Sequence, residues 1–280
     1  MNHRTVVVIG AGTMGSGIGG VAAVAGFSVQ LVDRPTVHGP SRSRIERFLE
    51  GQVKRGRLGA SEQAGALRRI SWREEIGRID GVDLVLEAVV EDLGAKAELF
   101  SALDRGFSGL VATNTSSLSV SALAEFAPDP SRFLGLHFFN PPERMALVEV
   151  VSGAKTSKET LAAGQNFVRQ IGKEAACTRD SPGFIVNRVA RPIYLEALRL
   201  VGDKVASVES LDRLVEGLGF PLGPFRLMDL IGIDVNLAVS ESVYRQLGQE
   251  PRLRPHPLQR KMVAERRLGR KSGEGFYTYA

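Results

Sequence analysis

The chain has 280 residues, of which 43% are apolar and 24% are charged, so its composition is that of a folded globular protein and argues against disorder. The formal charge of +5 is modest and no stretch is dense in lysine and arginine, so we expect no nucleic-acid partner. The single cysteine, Cys177, excludes intramolecular disulfides and cysteine-rich zinc sites, and we expect no bound metal.

Residues 5–32 contain no charged side chain, and by length this stretch is comparable with a membrane span or an export signal. Seven of its residues are glycine, and each glycine within a helix costs about 1 kcal/mol relative to alanine. We therefore expect neither a membrane segment nor an export signal. A cytoplasmic location follows as an expectation, and the single cysteine agrees with it.

The same stretch contains the pattern of a strand, a glycine turn, a helix and a second strand. Residues 5–9 are a β-branched run that ends at glycine, which predicts a buried strand. The sequence GAGTMG at 10–15 follows, then a small-residue helix at 16–25 and a second strand at 28–32, which ends at Asp33. This order predicts a dinucleotide-binding unit, and the alternative is a glycine-rich helix packed in a core.

Each residue type in this unit has a physical role. Gly10 permits the tight turn, Gly12 lets the backbone approach a pyrophosphate, and Gly15 lets the helix pack closely on the strand. Asp33 follows at the distance where a carboxylate accepts hydrogen bonds from the adenosine ribose hydroxyls. Its charge would repel a 2′-phosphate and favours NAD over NADP, although the neighbouring Arg34 partly offsets that preference.

Strand and helix patterns continue to alternate along the first two thirds of the chain. They predict a basic helix at 44–58, a strand at 83–90, a helix at 92–103, strands at 109–113, 132–141 and 146–151, a helix at 158–171 and a strand at 174–178. Alternation of this kind is typical of a Rossmann-type, doubly wound and mostly parallel sheet.

The pattern changes after residue 182. Residues 184–201 have one long helical pattern, and no convincing strand follows them. Shorter helical segments come next, at 211–218, 227–230 and 235–247. The fold class we expect is therefore α/β with a Rossmann domain at 1–182, followed by a smaller all-α domain at 183–280. The core of that second domain is small, so we expect it to be buried against the first domain or another subunit.

Polar side chains lie at the C-terminal ends of three predicted strands, at 87–91, 114–117 and 137–140, where open α/β sheets place their ligands. His137 lies in an otherwise apolar strand, and on its own a structural histidine would be the better interpretation. Glu149 follows twelve residues later, and a carboxylate on one imidazole nitrogen stabilises the imidazolium ion. Hydride transfer from an alcohol carbon requires a base for the hydroxyl proton, so this pair favours a dinucleotide-dependent dehydrogenase.

The chain resembles the L-3-hydroxyacyl-CoA dehydrogenase family, of the 3-hydroxybutyryl-CoA type. The shared blocks are GAGTMG at 10–15, NTSSL at 114–118, HFFNP at 137–141, LVEV at 147–150, DSPGFIVNR at 180–188, GPF at 223–225 and GRKSGEGFY at 269–277. The resemblance implies oxidation of an L-3-hydroxyacyl-CoA to the 3-oxoacyl-CoA and the reverse, NAD as cofactor, an acyl-CoA substrate and a homodimer. Since the first strand begins near residue 5, we expect a stand-alone enzyme without a crotonase-like domain.

The resemblance also implies which residues carry the chemistry. His137 matches the catalytic base, and Glu149 matches its carboxylate partner. Ser116 matches a residue that hydrogen-bonds the substrate oxygen, and Asn187 matches a polar residue that lines the active site from the second, substrate-binding domain.

A second set of residues matches the family's ligand contacts. The implied cofactor contacts are Gly10, Gly12, Thr13, Met14, Gly15, Asp33, Glu91, Lys96, Asn114, Asn140 and Lys271. The family's CoA-binding basic residue falls at Lys54 or Arg55, although a solvated helix face is the plainer interpretation of these two side chains.

Two departures from the family pattern leave the acyl chain open. The loop after the HFFNP block contains Glu143 and Arg144 where an apolar run is commoner, and this loop lies near the acyl group in the family. The sequence from Asp234 to Asn236 resembles members that act on 3-hydroxyadipyl-CoA in phenylacetate breakdown. The substrate is therefore open between 3-hydroxybutyryl-CoA and 3-hydroxyadipyl-CoA.

Other classes agree less well with the sequence. A dehydrogenase of the 6-phosphogluconate type would place a catalytic lysine in the first helix of the second domain, and residues 184–201 contain none. Gulonate dehydrogenases have a different histidine block. A non-catalytic dinucleotide-binding sensor would not need His137, Glu149, Ser116 and Asn187 together.

Overall fold

The computed structural model describes residues 4–77, 79 and 81–279. It divides into two compact units, Met1–Ser181 and Pro182–Ala280, which we call the N-terminal and C-terminal units. The division falls one residue before the domain boundary predicted from the sequence, and the outer ends of the predicted domains, residues 1 and 280, lie outside the described residues.

The N-terminal unit is built on one eight-stranded sheet with the order β3-β2-β1-β4-β5-β6-β7-β8. Its strands are β1 (Thr5–Ile9), β2 (Ser28–Val32), β3 (Ile70–Arg73), β4 (Leu84–Glu87), β5 (Leu110–Thr113), β6 (Phe133–Phe138), β7 (Leu147–Ser152) and β8 (Glu174–Arg179). Every neighbouring pair is parallel except β6 and β7, which are antiparallel. The predicted Rossmann-type fold with a mostly parallel sheet is confirmed.

Six helices accompany this sheet in the described part of the unit. They are α1 (Thr13–Val24), α2 (Pro35–Lys54), α3 (Ala60–Arg68), α4 (Leu93–Ser101), α5 (Val120–Ala124) and α6 (Lys158–Gln170). Apolar side chains of the strands and of α1, α2, α3 and α6 form one buried cluster. This half differs from the sequence prediction in two ways. α2 begins nine residues earlier than predicted, at Pro35 rather than 44, and β3, α3 and α5 were not predicted. Proline in the first turn of α2 is compatible with a helix start, and β3 is a short, half-exposed edge strand with little apolar pattern.

The glycines of the first turn and helix are required by close packing. Gly10 has a φ of +93°, and a Cβ atom there would lie 2.6 Å from the carbonyl oxygen of Ala88. At Gly19, in the middle of α1, a Cβ atom would lie 3.0 Å from Cδ2 of Leu31 on the neighbouring strand. The lack of charge and the excess of glycine in residues 5–32 therefore come from a buried parallel sheet and a helix packed tightly on it.

The C-terminal unit is helical. Its helices are α7 (Val186–Gly202), α8 (Val208–Gly217), α9 (Pro224–Ile231), α10 (Ile233–Gln246) and α11 (Pro257–Ala264), and within residues 182–279 only two isolated β-bridges occur. The predicted all-α domain is confirmed. Its helices α8, α9 and α10 begin two or three residues earlier than predicted, and α11 was not predicted. It has a separate apolar core. No helix in the described ranges is both long and apolar enough to cross a bilayer.

Two buried aspartates fix the last segment of the chain to the helices of this unit. Asp229 accepts hydrogen bonds from the backbone of Phe276 and Tyr277, and Asp212 accepts one from the hydroxyl of Tyr277 at 2.8 Å. Asp212 also accepts from the backbone of Phe225 at the start of α9, where a carboxylate stabilises a helix N-terminus. Burial and the hydrogen bond to Asp212 raise the pKa of Tyr277 well above its usual range.

Candidate active site

The glycine turn and Asp33 form one local arrangement. The backbone N–H of Ala11 donates to Oδ2 of Asp33 at 2.8 Å, and the backbone N–H of Arg34 donates to Oδ1 at 2.7 Å. No side chain caps the start of α1, and a Cβ atom on Gly12 would meet nothing within 4 Å. The open space above Gly12, the uncapped helix start and the fixed carboxylate fit the pyrophosphate and ribose of a dinucleotide.

A cleft of about 500 Å³ lies next to this turn. Ile76, Val89 and Leu103 contribute apolar walls to it. The charged residues of its lining are Asp33, Arg34, Glu74, Glu75 and Asp104. Apolar walls beside a carboxylate that the glycine turn holds in place fit an adenosine group.

His137 and Glu149 form a buried polar pair on neighbouring strands. They are directly opposite each other in the antiparallel pairing of β6 with β7. Nδ1 of His137 lies 2.6 Å from Oε2 of Glu149, and both side chains are buried. The twelve-residue spacing seen in the sequence is therefore a cross-strand pair, a register that the sequence pattern alone did not predict.

Glu91 organises the turn that contains Ser116. Its Oε1 accepts from the hydroxyl of Thr115 at 2.7 Å, from the backbone N–H of Ser116 at 2.8 Å, and from the backbone and hydroxyl of Ser117. Burial alone raises the pKa of Glu91, but the positive charge of Lys96 and these hydrogen bonds outweigh burial and hold the pKa below its ordinary value. A residue predicted to contact the cofactor is thus in direct contact with one predicted to contact the substrate.

Lys96 is enclosed by acidic partners. Its Nζ lies 2.5 Å from Oε1 of Glu87 and 3.4 Å from Oε2 of Glu91, and its side chain is 1% exposed. Glu87 is fully buried and also accepts from the hydroxyl of Thr113 and from the backbone of Val89. Glu87 was predicted at a strand end, but its ion pair with Lys96 was not predicted. The signal for it is a glutamate that ends an otherwise apolar strand. Contact of Lys96 with a cofactor stays a prediction.

The remaining predicted residues of the N-terminal unit lie in less enclosed positions. Oδ1 of Asn114 accepts from the backbone N–H of Phe138 at 2.9 Å, which ties the end of β5 to β6. Asn140 is exposed just after β6.

A second cleft, of about 280 Å³, is lined by arginine side chains near the start of α1. These are Arg44, Arg47, Arg55 and Arg144. Glu143 also lines the cleft, so both unusual residues of the loop after β6 are part of it, together with Thr13. Lys54 is exposed and is not among its lining residues, so of the two basic candidates the structure places only Arg55 in this cleft.

Two predicted site residues belong to the C-terminal unit. Asn187 lies in the first turn of α7 and is partly buried. Lys271 forms an ion pair with Asp234, with Nζ 2.6 Å from Oδ2. The roles of Asn187 and Lys271 towards ligands stay predictions. In the described ranges no three metal-ligating side chains lie close enough together to hold an ion.

Comparison with known families decides the class of this site. The model for the NAD binding domain of 3-hydroxyacyl-CoA dehydrogenase matches residues 5–181, and the model for the C-terminal domain of the same family matches residues 183–279. The chain belongs to the 3-hydroxyacyl-CoA dehydrogenase family. The resemblance inferred from the sequence blocks is confirmed, and the N-terminal unit is the NAD-binding domain of this family.

Individual relatives agree with this assignment. The 3-hydroxyadipyl-CoA dehydrogenase of Escherichia coli K12 is 43% identical over the whole chain, which spans 60% of that protein's length. The mitochondrial hydroxyacyl-coenzyme A dehydrogenase of Sus scrofa is 40% identical over 99% of this chain and 91% of its own length. The crystal structure of (S)-3-hydroxybutyryl-CoA dehydrogenase from Ralstonia eutropha superposes with a TM-score of 0.94, at 38% identity over 99% of both chains.

Proposed function

We propose that this chain catalyses the NAD-dependent oxidation of an L-3-hydroxyacyl-CoA to the 3-oxoacyl-CoA, and the reverse reduction. The observation that carries the proposal is the buried pair of His137 and Glu149 at the edge of a dinucleotide-binding sheet. A histidine held by a carboxylate is the acid and base that hydride transfer to or from an alcohol carbon requires.

The chain's own residues perform the proton transfer. Nε2 of His137, on the far side of the ring from Glu149, takes the proton of the 3-hydroxyl group, and Glu149 stabilises the resulting imidazolium ion. Ser116 and Asn187 hold the substrate oxygen. In the reductive direction His137 returns the proton to the alkoxide. Acid–base assistance of this kind contributes about 10²- to 10⁴-fold in rate.

The cofactor contacts are assigned to the glycine turn. A bound NAD supplies the hydride acceptor. The turn at residues 10–15, with Thr13 and Met14 at the start of α1, holds the pyrophosphate, and Asp33 holds the adenosine ribose. Its carboxylate favours NAD over NADP because it would repel a 2′-phosphate.

Coenzyme A is assigned to the arginine-lined cleft. One guanidinium group can donate two parallel hydrogen bonds to two oxygens of a phosphate. The four arginines of this cleft also carry more positive charge than its single glutamate offsets. Arg55 is the side chain that we assign to the CoA phosphates. The substrate chain is a 3-hydroxybutyryl or a 3-hydroxyadipyl group, and the second is favoured by the Escherichia coli relative and by the sequence from Asp234 to Asn236.

We also propose a homodimer and a cytoplasmic location. Large apolar side chains are exposed on the C-terminal unit, and these support a subunit interface. Cys177 is free and exposed, which suits a reducing compartment.

The decisive test is a steady-state assay that follows NADH oxidation with acetoacetyl-CoA. We expect turnover by the wild-type chain and a loss of at least about 10²-fold in His137→Gln with NADH binding retained. His256→Asn, which keeps a side chain able to cap α11, is the matched control and keeps full activity. NADH binding without turnover by the wild type would identify a dinucleotide sensor, and full activity of His137→Gln would refute the assignment of the base.

A further inference from the structure

Arg191 is a buried cation in the C-terminal unit whose partners are all neutral. It lies on α7 and is 2% exposed. Its Nε donates to the backbone oxygen of Asn187 at 3.1 Å, and its Nη1 donates to the backbone oxygen of Asn236 and to the hydroxyl of Ser240. Its guanidinium group also lies 4.8 Å from the centre of the Tyr194 ring.

No carboxylate balances this charge. Arg191 has no ion-pair partner and its Nη2 has no hydrogen-bond acceptor within the described ranges. Burial lowers the pKa of Arg191 to about 10, and the group remains charged at neutral pH. A buried guanidinium without an anion is costly, because its charge is removed from water with no countercharge beside it.

The surrounding polar network is also incomplete. Oδ1 of Asn236 accepts from Nη1 of Arg191 and from Nε2 of Gln259. Because an arginine can only donate, this contact fixes the orientation of the Asn236 amide. Nδ2 of Asn236, a buried donor, then has no partner in the described part of the chain, and neither does Oε1 of Gln259. Buried polar groups normally have partners. Of these two atoms only Nδ2 of Asn236 is a donor, and an unused donor beside an unbalanced positive charge points to an anionic ligand.

We propose that Arg191 binds the carboxylate at the far end of a dicarboxylic acyl chain, so that the chain acts on 3-hydroxyadipyl-CoA or an acyl-CoA of the same class. The inference rests on the proposed function, because that function places the 3-oxygen of the substrate at Asn187. The planar fork of arginine matches the two oxygens of a carboxylate, which gives both charge balance and orientation.

The spacing along α7 agrees with the length of such a substrate. Asn187 and Arg191 are four residues apart, so they lie on one helix face, and Nε of Arg191 lies 3.1 Å from the backbone oxygen of Asn187. In an adipyl chain the terminal carboxylate carbon is three C–C bonds of about 1.5 Å each from C3, and its oxygens extend further towards Nη2. A butyryl chain ends one bond after C3 and carries no charge, so it would leave Arg191 without an anion.

The test compares two substrates of equal chain length, 3-hydroxyadipyl-CoA and 3-hydroxyhexanoyl-CoA, which differ in the terminal carboxylate. We expect wild type to favour the adipyl substrate in kcat/KM by about 10- to 100-fold. Arg191→Met should abolish this preference and leave kcat/KM for the hexanoyl substrate within about threefold. Arg199→Met, on the same helix and paired with Glu196, is the matched control and should keep the preference.

Each other outcome is decisive. Equal loss with both substrates in Arg191→Met would show that Arg191 only ties α7 to α10 and would overturn the inference. If Arg191→Met does not fold, Arg191→Gln, which keeps hydrogen-bond donors but not the charge, decides in the same way. A wild type that uses both substrates equally overturns the inference but leaves the proposed function standing, whereas no turnover of any acyl-CoA would refute the proposed function.

Discussion

At the scale of single residues, the N-terminal unit encloses charged groups in pairs. Glu149 is fully buried against His137, and Glu87 is fully buried against Lys96. A charge in this environment interacts more strongly than at the surface, because little water screens it. The sequence predicted the first pair, since a histidine in an apolar strand stands out. It did not predict the second, because a lysine at the start of a helix is ordinarily solvated.

The burial of Glu149 leads to a kinetic prediction. Glu149→Gln keeps the shape of the side chain but removes the charge that stabilises the imidazolium ion, so kcat should fall by about 10²-fold or more. KM should change little, because the proposed function gives Glu149 no contact with the substrate. Steady-state kinetics in both directions would measure this, with Glu159→Gln on the exposed face of α6 as the control. A kcat within threefold of wild type would contradict the role of Glu149.

At the scale of elements, local sequence patterns predicted some strands and helices, but not those that depend on contacts between distant segments. The first strand, the glycine turn and the following helix were predicted closely, because glycine positions and β-branched runs are strong local signals. The antiparallel pairing of β6 with β7 and the edge strand β3 were not predicted, because they depend on contacts between distant segments. The candidate site follows the same division: its residues were proposed from the sequence, but the contact of Glu91 with the turn at 115–117 was not predicted.

The contribution of the turn at 115–117 to the stability of the fold should depend on pH, because its hydrogen bonds are accepted by Glu91. The pKa of Glu91 is lowered in the folded chain, so its ionised form stabilises the fold above the ordinary value of 4.5, and this contribution is lost as the pH falls through the lowered value. Glu91→Gln should therefore be less stable than wild type at about pH 7, and the difference should shrink towards about pH 3. Urea unfolding at several pH values would measure it, with Glu98→Gln, exposed on α4, as the control. A stability difference that does not change with pH would exclude this role.

At the scale of the whole molecule, the two units have separate apolar cores. The C-terminal unit also exposes large apolar side chains. Leu214 and Leu218 lie one turn apart, on α8 and at its C-terminal end, and Phe220 follows two residues later. Leu218 is 72% exposed, which is unusual for a side chain of this size. Contiguous apolar side chains in water mark an interface, and a second copy of the chain is the partner that the proposed homodimer supplies.

This surface gives a prediction about assembly. The wild-type chain should sediment as a dimer at micromolar concentration, and Leu218→Asp should shift it towards the monomer, because a buried aspartate without a partner destabilises an interface. Val24→Asp, at the exposed end of α1, introduces the same charge in the N-terminal unit and should leave the dimer intact. Analytical ultracentrifugation over a range of concentrations would measure both variants. A monomeric wild type would exclude the proposed dimer. A Leu218→Asp variant that dimerises as tightly as wild type would place the interface elsewhere, and the exposed apolar side chains of α8 would then need another explanation.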